Sequence, residues 1–215
     1  MTQYKPVPAD YDRPWKEALS IYFESCLSFF FTPIHSHINW NQPYRSLDKE
    51  LEELVRDSDI GTRFPDKLFE VQLLNGKSQW ILIHVEVQSQ YDADFTERIY
   101  RYNSRAFDKY NKPVVSVAIL GDDNPNWRPS AYSYSLDGYR FNLEFPTVKL
   151  LDYQNQWEML ETIDNPLAMM VMAHLKTQAT TDNMEERQQA KRLLFRFLLS
   201  RGYSREQVCE SISVC

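Results

Sequence analysis

The sequence has few cysteines, few glycines and no excess of positive charge. Its 215 residues include 3 cysteines and 5 glycines, and 24 Lys and Arg are outnumbered by 30 Asp and Glu. Cys26, Cys209 and Cys215 are odd in number and lack zinc-ligand spacing, which argues against a disulfide framework and predicts reduced thiols in a cytoplasmic protein. The net charge of -6 disfavours a broad nucleic-acid-binding surface, because clustered Lys and Arg neutralise phosphates, but it leaves a local basic patch open.

Long apolar runs are also missing from the sequence. The nearest, residues 26–31, is far shorter than the roughly 20 residues that cross a bilayer. The first residues lack the basic and then apolar pattern of a secretory signal. We therefore expect no membrane partner and a globular chain, whose 43% hydrophobic residues suffice for a sizeable core.

Apolar residues spaced three and four apart predict helices towards both ends of the chain. Pro14 suits a first turn, Pro33 suits a stop, and Ser46 suits the N-cap of a second helix. The apolar stripe of that second helix leaves Glu50 at its edge, as the acid best placed to lean towards a neighbouring sheet. The predicted helices cover residues 15–31, 47–56, about 95–110, 157–175, 184–200 and 204–213.

Residues 63–90 predict a β-hairpin that turns at Asn75-Gly76. In its second strand, His84, Glu86 and Gln88 alternate with valines, so one face carries polar groups while the other enters a core. The following helix and the apolar run at residues 113–120 complete a βαβ unit with parallel strands. A second hairpin is predicted around Asp137-Gly138, and the change of character near residue 150 divides the chain into segments 1–150 and 151–215.

Two carboxylates of the first hairpin could form a metal site if they face each other. A three-residue turn at 75–77 pairs Leu74 with Ser78 and Asp66 with Glu86, whereas a two-residue turn moves the two acids to opposite faces. Opposed carboxylates are destabilising unless a cation lies between them, and oxygen ligands suit Mg²⁺ or Mn²⁺. The alternative that the spacing leaves open is a half-exposed sheet with scattered acids.

The order of these motifs resembles the PD-(D/E)XK nuclease superfamily. Within that superfamily, IHVEVQSQ followed by ERIYRYNSRAFDKY resembles the recombination-promoting nuclease or putative transposase family. The resemblance covers roughly residues 12–150, where PWKEAL, LDKELEEL, PDKLFEV and VAILGDD also match. It implies a restriction-endonuclease-like α/β core with a mixed central sheet flanked by helices, followed by the helical C-terminal segment 151–215.

The resemblance also implies a set of catalytic and metal-binding residues. Asp66 and Glu86 would be the metal-ligand carboxylates, with the carbonyl of Val87 as a further oxygen, and Glu50 would be an auxiliary acid. Gln88 stands where the superfamily motif usually has Lys. An amide can hydrogen-bond a water but carries no charge and is no base at neutral pH, which bears on whether this chain is active.

The helix after the hairpin would supply the contacts to DNA. The resemblance implies that Arg98, Tyr102 and Arg105 face phosphate. The alternative for its basic residues is an ordinary solvated helix face.

The histidines have plainer interpretations than metal binding. Because Mg²⁺ prefers oxygen ligands, His84 is expected to be a hydrogen-bonding neighbour of Glu86 rather than a ligand. His35 and His37 lack a third ligand nearby and are expected to have a loop role, and His174 is expected in the core beside the Met169–Met172 run.

Three functions remain open on the sequence. The first is a Mg²⁺-dependent DNA endonuclease in recombination or mobile-element biology, in which a bound cation activates a water. The second is a catalytically inactive nuclease-fold module that binds DNA or protein. The third, compatible with either, is self-association as a homodimer through the aromatic N-terminal helix and the C-terminal helices.

Overall fold

The apolar strand patterns assemble into one mixed five-stranded sheet in the computed structural model, which describes residues 12–50, 67–74 and 80–180. The strands are β1 (Arg45–Ser46), β2 (Lys67–Gln72), β3 (Trp80–Gln88), β4 (Val114–Leu120), β5 (Ala131–Leu136), β6 (Tyr139–Glu144) and β7 (Thr147–Lys149). Four pairings order the sheet as β1-β2-β3-β4-β7, antiparallel from β1 to β3 and parallel from β3 to β7. A separate two-stranded ribbon pairs β5 with β6.

Helices cover both faces of this sheet. On one face lie the N-terminal helices and the last described helix, and on the other lies the helix that connects β3 to β4. Among the described residues, no helix is long and apolar enough to span a bilayer. The helices are α1 (Asp12–Ile21), α2 (Phe23–Phe30), α3 (Thr32–His35), α4 (Phe95–Tyr110), α5 (Trp157–Thr162) and α6 (Pro166–Ala179), with a 3₁₀ turn at Leu150–Tyr153.

The predicted hairpin and βαβ unit are confirmed. Lys67 lies opposite Val85 and Leu68 opposite His84, which is the register that the three-residue turn requires. Helix α4 links β3 to β4, and these two strands are parallel from Leu82–Val114 to Gln88–Leu120. The turn residues 75–79 themselves lie outside the described part of the chain.

The larger apolar core lies between the sheet and helices α1, α2 and α6. It draws on residues from both sides of residue 150, so the core does not divide there. The Met169–Met172 run and His174 are buried in this region, as expected. Burial of each large aliphatic or aromatic side chain contributes about 1.5–3 kcal/mol, and the fully buried ones here include Trp15, Leu19, Phe23, Leu27, Phe69, Ile83, Val85 and Leu167.

The prediction of one N-terminal helix is wrong, because the backbone leaves the helical conformation at Tyr22. After this break, Phe23 stacks on Phe69 of β2 with ring centroids 3.8 Å apart, so packing on the sheet overrides the continuous helical pattern. Pro33 does not stop a helix but lies in the first turn of α3, where its missing N–H costs nothing.

Two further helix boundaries differ from prediction. Ser46 belongs to β1 and is no N-cap, because the Leu47 N–H donates to the Leu68 carbonyl at 2.7 Å and helical conformation begins at Asp48. The predicted helix at 157–175 is divided into α5 and α6. Asn165 caps α6 by accepting from the Leu167 N–H at 2.9 Å, and Pro166 occupies the first turn. The predicted helices after residue 180, and residues 51–56, lie outside the described residues.

The ribbon of β5 and β6 turns at Asp137-Gly138, as predicted. Both residues have positive φ, 42° for Asp137 and 88° for Gly138, which is the conformation of a two-residue type I′ turn. A Cβ added at Gly138 would meet no atom within 4 Å, so only the backbone conformation opposes substitution there.

We predict that Gly138→Ala lowers the free energy of unfolding by about 1 kcal/mol, because an L side chain is strained at this φ. Asp137→Asn, in the same turn, is the matched control and should change it by less than about 0.5 kcal/mol, since Asn tolerates positive φ. Urea denaturation followed by circular dichroism measures both. Equal effects of the two substitutions would contradict the strain argument.

Candidate active site

The polar row of β3 is buried rather than solvated. His84, Glu86 and Gln88 face α4, and Glu86 is only 3% exposed. Val85 and Val87 point to the opposite face and enter the larger core. The predicted alternation is therefore confirmed, but the polar face is closed over by the helix that follows the strand.

Both oxygens of the Glu86 carboxylate have hydrogen-bond donors. Arg98 of α4 donates from Nε to Oε1 at 2.9 Å, and Nε2 of His84 lies 3.3 Å from Oε2. The expectation that His84 is a hydrogen-bonding neighbour of Glu86 is confirmed. Because these groups are buried, their interactions are much less screened than a surface ion pair would be.

A chain of hydrogen bonds fixes the orientation of the His84 ring. Asn103 donates from Nδ2 to the Ser116 hydroxyl at 3.0 Å, and that hydroxyl lies 3.1 Å from Nδ1 of His84. Because the Ser116 hydroxyl accepts from Asn103, we assign it as the donor to Nδ1 of His84. The ring proton of His84 is then on Nε2, which donates to Glu86. The Tyr102 ring, itself buried, meets the His84 ring edge-on at 5.7 Å.

Arg98 joins three residues through one guanidinium group. Besides Glu86, it donates from Nη2 to Oε1 of Gln88 at 2.7 Å and from Nη1 to Oδ2 of Asp92. Its side chain is only 8% exposed, so the expectation of a solvated basic face is wrong for Arg98. The helical pattern misled because Arg98 borders the apolar stripe of α4 and meets a buried carboxylate that local sequence does not reveal.

Gln88 is held at both ends of its amide. Its Oε1 accepts from Arg98, and its Nε2 donates to the carbonyl of Gln90 at 2.8 Å. The acceptor and one donor of the amide are thus committed to protein partners. In this arrangement the side chain serves to fix the strand end rather than to present an open donor and acceptor to a water.

The charges of Glu86 and Arg98 stabilise each other. Burial by itself would raise the pKa of the Glu86 carboxyl, but the hydrogen bond from His84 and the charge of Arg98 together lower this pKa below its ordinary value. Burial opposes the charge of Arg98, yet Glu86 and Asp92 raise the pKa of the guanidinium above its ordinary value. Both groups are therefore ionised at neutral pH.

The remaining predicted site residues are not brought together within the described part of the chain. Asp66 lies outside it. Glu50 is half-buried in the helical turn that begins at Asp48, and its backbone carbonyl accepts from Nζ of Lys109 of α4 at 3.4 Å. Arg105 lies two turns along α4 from Arg98 and is partly exposed.

A complete metal centre is not formed by the described residues alone. Within residues 12–50, 67–74 and 80–180, no group of three or more His, Cys, Asp or Glu side chains could hold a metal ion. The described portion contributes the Glu86 carboxylate and the carbonyl of Val87 to the predicted ligand set. The donor set therefore fits Mg²⁺ or Mn²⁺ only when Asp66 supplies a second carboxylate.

Sequence reasoning missed two acids of this region. Asp92 precedes α4 and provides a second carboxylate for Arg98. Glu70, on the same face of β2 as Leu68, is buried between Arg45 and Lys112. The period-two pattern places Glu70 on the polar face and could have identified it, whereas no local signal marks Asp92.

A cavity of about 260 Å³ lies at the carboxyl ends of β3 and β4. Among its lining residues are Ser89, Gly121 and Gln178. His174 borders it and donates from Nε2 to the Gly121 carbonyl at 2.6 Å. Trp15 donates from Nε1 to Nδ1 of His174 at 3.4 Å, so the neutral ring satisfies both contacts.

Comparison with protein-family models finds no match, and comparisons with curated proteins and with solved structures find no similar chain.

We predict that Arg98→Met lowers the free energy of unfolding by about 3–5 kcal/mol, because it leaves Glu86 buried without its cation. The double substitution Glu86→Gln with Arg98→Met should recover part of this loss, since no unpaired charge is then buried. Urea denaturation of the three proteins at pH 7 measures the difference. A loss below about 1 kcal/mol for Arg98→Met would show that the pair behaves as a surface pair.

A second prediction concerns pH and His174. Burial lowers the pKa of this imidazole below its ordinary value of 6.5, against the opposing effects of its bond to Gly121 and of the charge of Asp122. The folded state therefore binds fewer protons than the unfolded state below about pH 6.5. The contribution of the neutral His174 ring to the free energy of unfolding is complete above that pH and is lost as the pH falls.

Unfolding free energy should accordingly decrease between pH 7.5 and pH 5.5, by up to about 1.4 kcal/mol per pH unit from His174. His174→Gln should reduce that decrease, because the variant lacks this imidazole. Denaturant titrations at the two pH values measure the slopes. An unchanged slope in the variant would contradict the assignment to His174.

Proposed function

We propose that this chain is a metal-dependent DNA endonuclease with a restriction-endonuclease-like core, in which Asp66 and Glu86 are the carboxylate ligands. The observation that carries the proposal is the register of β2 and β3. Lys67 lies opposite Val85, which is the register from which the sequence predicts Asp66 opposite Glu86. The mixed α/β architecture with parallel β3 and β4 agrees with the fold that the sequence resemblance implies.

The chain's own residues would have distinct roles in phosphodiester hydrolysis. A bound Mg²⁺ or Mn²⁺ would lower the pKa of a water ligand and shield the charge that develops on the phosphate. Glu86, kept ionised by Arg98 and His84, needs no deprotonation before it binds a cation. Val87 would add a backbone oxygen, and Glu50 would be an auxiliary acid from the predicted helix at residues 47–56. Of the three α4 residues expected at DNA phosphate, Arg105 is partly exposed and would contact the DNA backbone, whereas Arg98 and Tyr102 are buried beside Glu86 and His84.

One observation favours a second candidate, a catalytically inactive nuclease-fold module that binds DNA or protein. Both oxygens of Glu86 already accept hydrogen bonds from Arg98 and His84, so a cation must share or displace a donor. The Gln88 amide is similarly committed to Arg98 and Gln90. Such a closed network is also what a purely structural polar core would look like.

Cleavage of supercoiled plasmid in Mg²⁺, Mn²⁺ or EDTA separates the two candidates. We expect metal-dependent nicking, reduced about 100-fold or more by Asp66→Asn and by Glu86→Gln, since each removes a charged ligand while keeping the side-chain shape. Glu158→Gln, which changes an exposed carboxylate of α5, is the matched control and should nick normally.

Thermal unfolding of each variant must accompany the assay, because Glu86→Gln also alters a buried ion pair. Nicking that persists in a folded Asp66→Asn protein would exclude the proposed ligand set. No nicking by the folded unsubstituted chain, together with salt-sensitive binding of a labelled duplex in EDTA, would establish the binding module instead.

A further inference from the structure

Among the described residues, Arg98 is the cation that hydrogen-bonds to Glu86 and Gln88. Gln88 is neutral, and His84 is assigned as a neutral donor to Glu86. We propose that Arg98 supplies the positive charge of this site from helix α4 and positions Glu86 and Gln88 for the reaction. The inference rests on the proposed hydrolysis, whose substrate is a phosphodiester.

The geometry places the guanidinium across the end of β3. Its Nε donates to Glu86 at 2.9 Å and its Nη2 donates to Gln88 at 2.7 Å, so one planar group contacts two residues on the same strand face. Asp92 holds the third nitrogen from the loop before α4. The guanidinium is thereby fixed on three sides, and its orientation does not depend on a flexible surface side chain.

In the proposed hydrolysis, the positive charge of Arg98 would act on the phosphate. Negative charge accumulates on phosphate oxygens during hydrolysis, and a fixed Arg or Lys close to those oxygens stabilises it. A guanidinium stays protonated throughout, so Arg98 transfers no proton and acts through its charge and its hydrogen bonds. The three contacts use three of its five N–H groups, which leaves donors for a phosphate oxygen at the strand end.

The arrangement also explains how a neutral glutamine can occupy position 88. The Gln88 amide touches the guanidinium, so a lysine at this position would bring its ammonium group to about the same place. One positive charge beside Glu86 balances the site, whereas two would repel each other in a buried environment. Position 88 and position 98 are thus alternative sources of one charge.

Moving the charge tests this inference. The proteins are Arg98→Gln, Gln88→Lys, the double variant Gln88→Lys with Arg98→Gln, and the unsubstituted chain, assayed for plasmid nicking at temperatures where thermal unfolding shows each one folded. We expect Arg98→Gln to lower kcat about 100-fold with a smaller change in KM, and the double variant to regain at least about 10-fold. Arg128→Gln, which breaks an exposed pair with Asp152, should cleave normally.

Each other outcome overturns the inference. Full activity of a folded Arg98→Gln protein, or a double variant that folds but regains nothing, would show that Arg98 serves only the structure. If Arg98→Gln does not fold, Gln88→Lys alone decides: a gain of about 10-fold would mean that the site lacked an effective positive charge. No nicking by the folded unsubstituted chain would instead overturn the proposed function, and this inference with it.

Discussion

The buried ion pair between Glu86 and Arg98 joins the sheet to the helix that follows it. Removing both charges from water is costly, and the attraction between them repays this cost only when the remaining hydrogen-bonding groups also find partners. His84, Gln88 and Asp92 are those partners. Helix α4 is consequently held at one position on β3 and β4, and the polar row of the strand becomes part of the interior.

The same pair governs what the site can do. A carboxylate that remains ionised in a closed environment is ready to bind a cation, but its oxygens are already occupied by donors. Enzyme and binding module therefore differ in one physical respect, namely whether a metal ion competes successfully with Arg98 and His84 for Glu86. In the proposed endonuclease, Arg98 would keep one oxygen of Glu86 while a metal ion binds the other.

Short-range sequence patterns predicted several elements of the structure correctly. The strict alternation around Glu86 correctly predicted which residues of β3 share a face. The Asn75-Gly76 signal left the register open between a two-residue and a three-residue turn, and the structure has the register of the longer one. The turn at Asp137-Gly138 was equally predictable from its residues. The helix breaks at Tyr22 and at Asn165 were not predicted: the first comes with stacking of Phe23 on Phe69, and the second comes from a local cap that the apolar periodicity concealed.

The sequence by itself determined the hairpin, the βαβ unit and the shared face of His84, Glu86 and Gln88, because side-chain alternation and turn geometry act between near neighbours. Only the tertiary structure decided that this face is buried and that Arg98, twelve residues from Glu86, is its counter-ion. A helical pattern records the angle of Arg98 around α4 but not what lies opposite it. The partner of a buried charge is set by packing between elements, which no local pattern encodes.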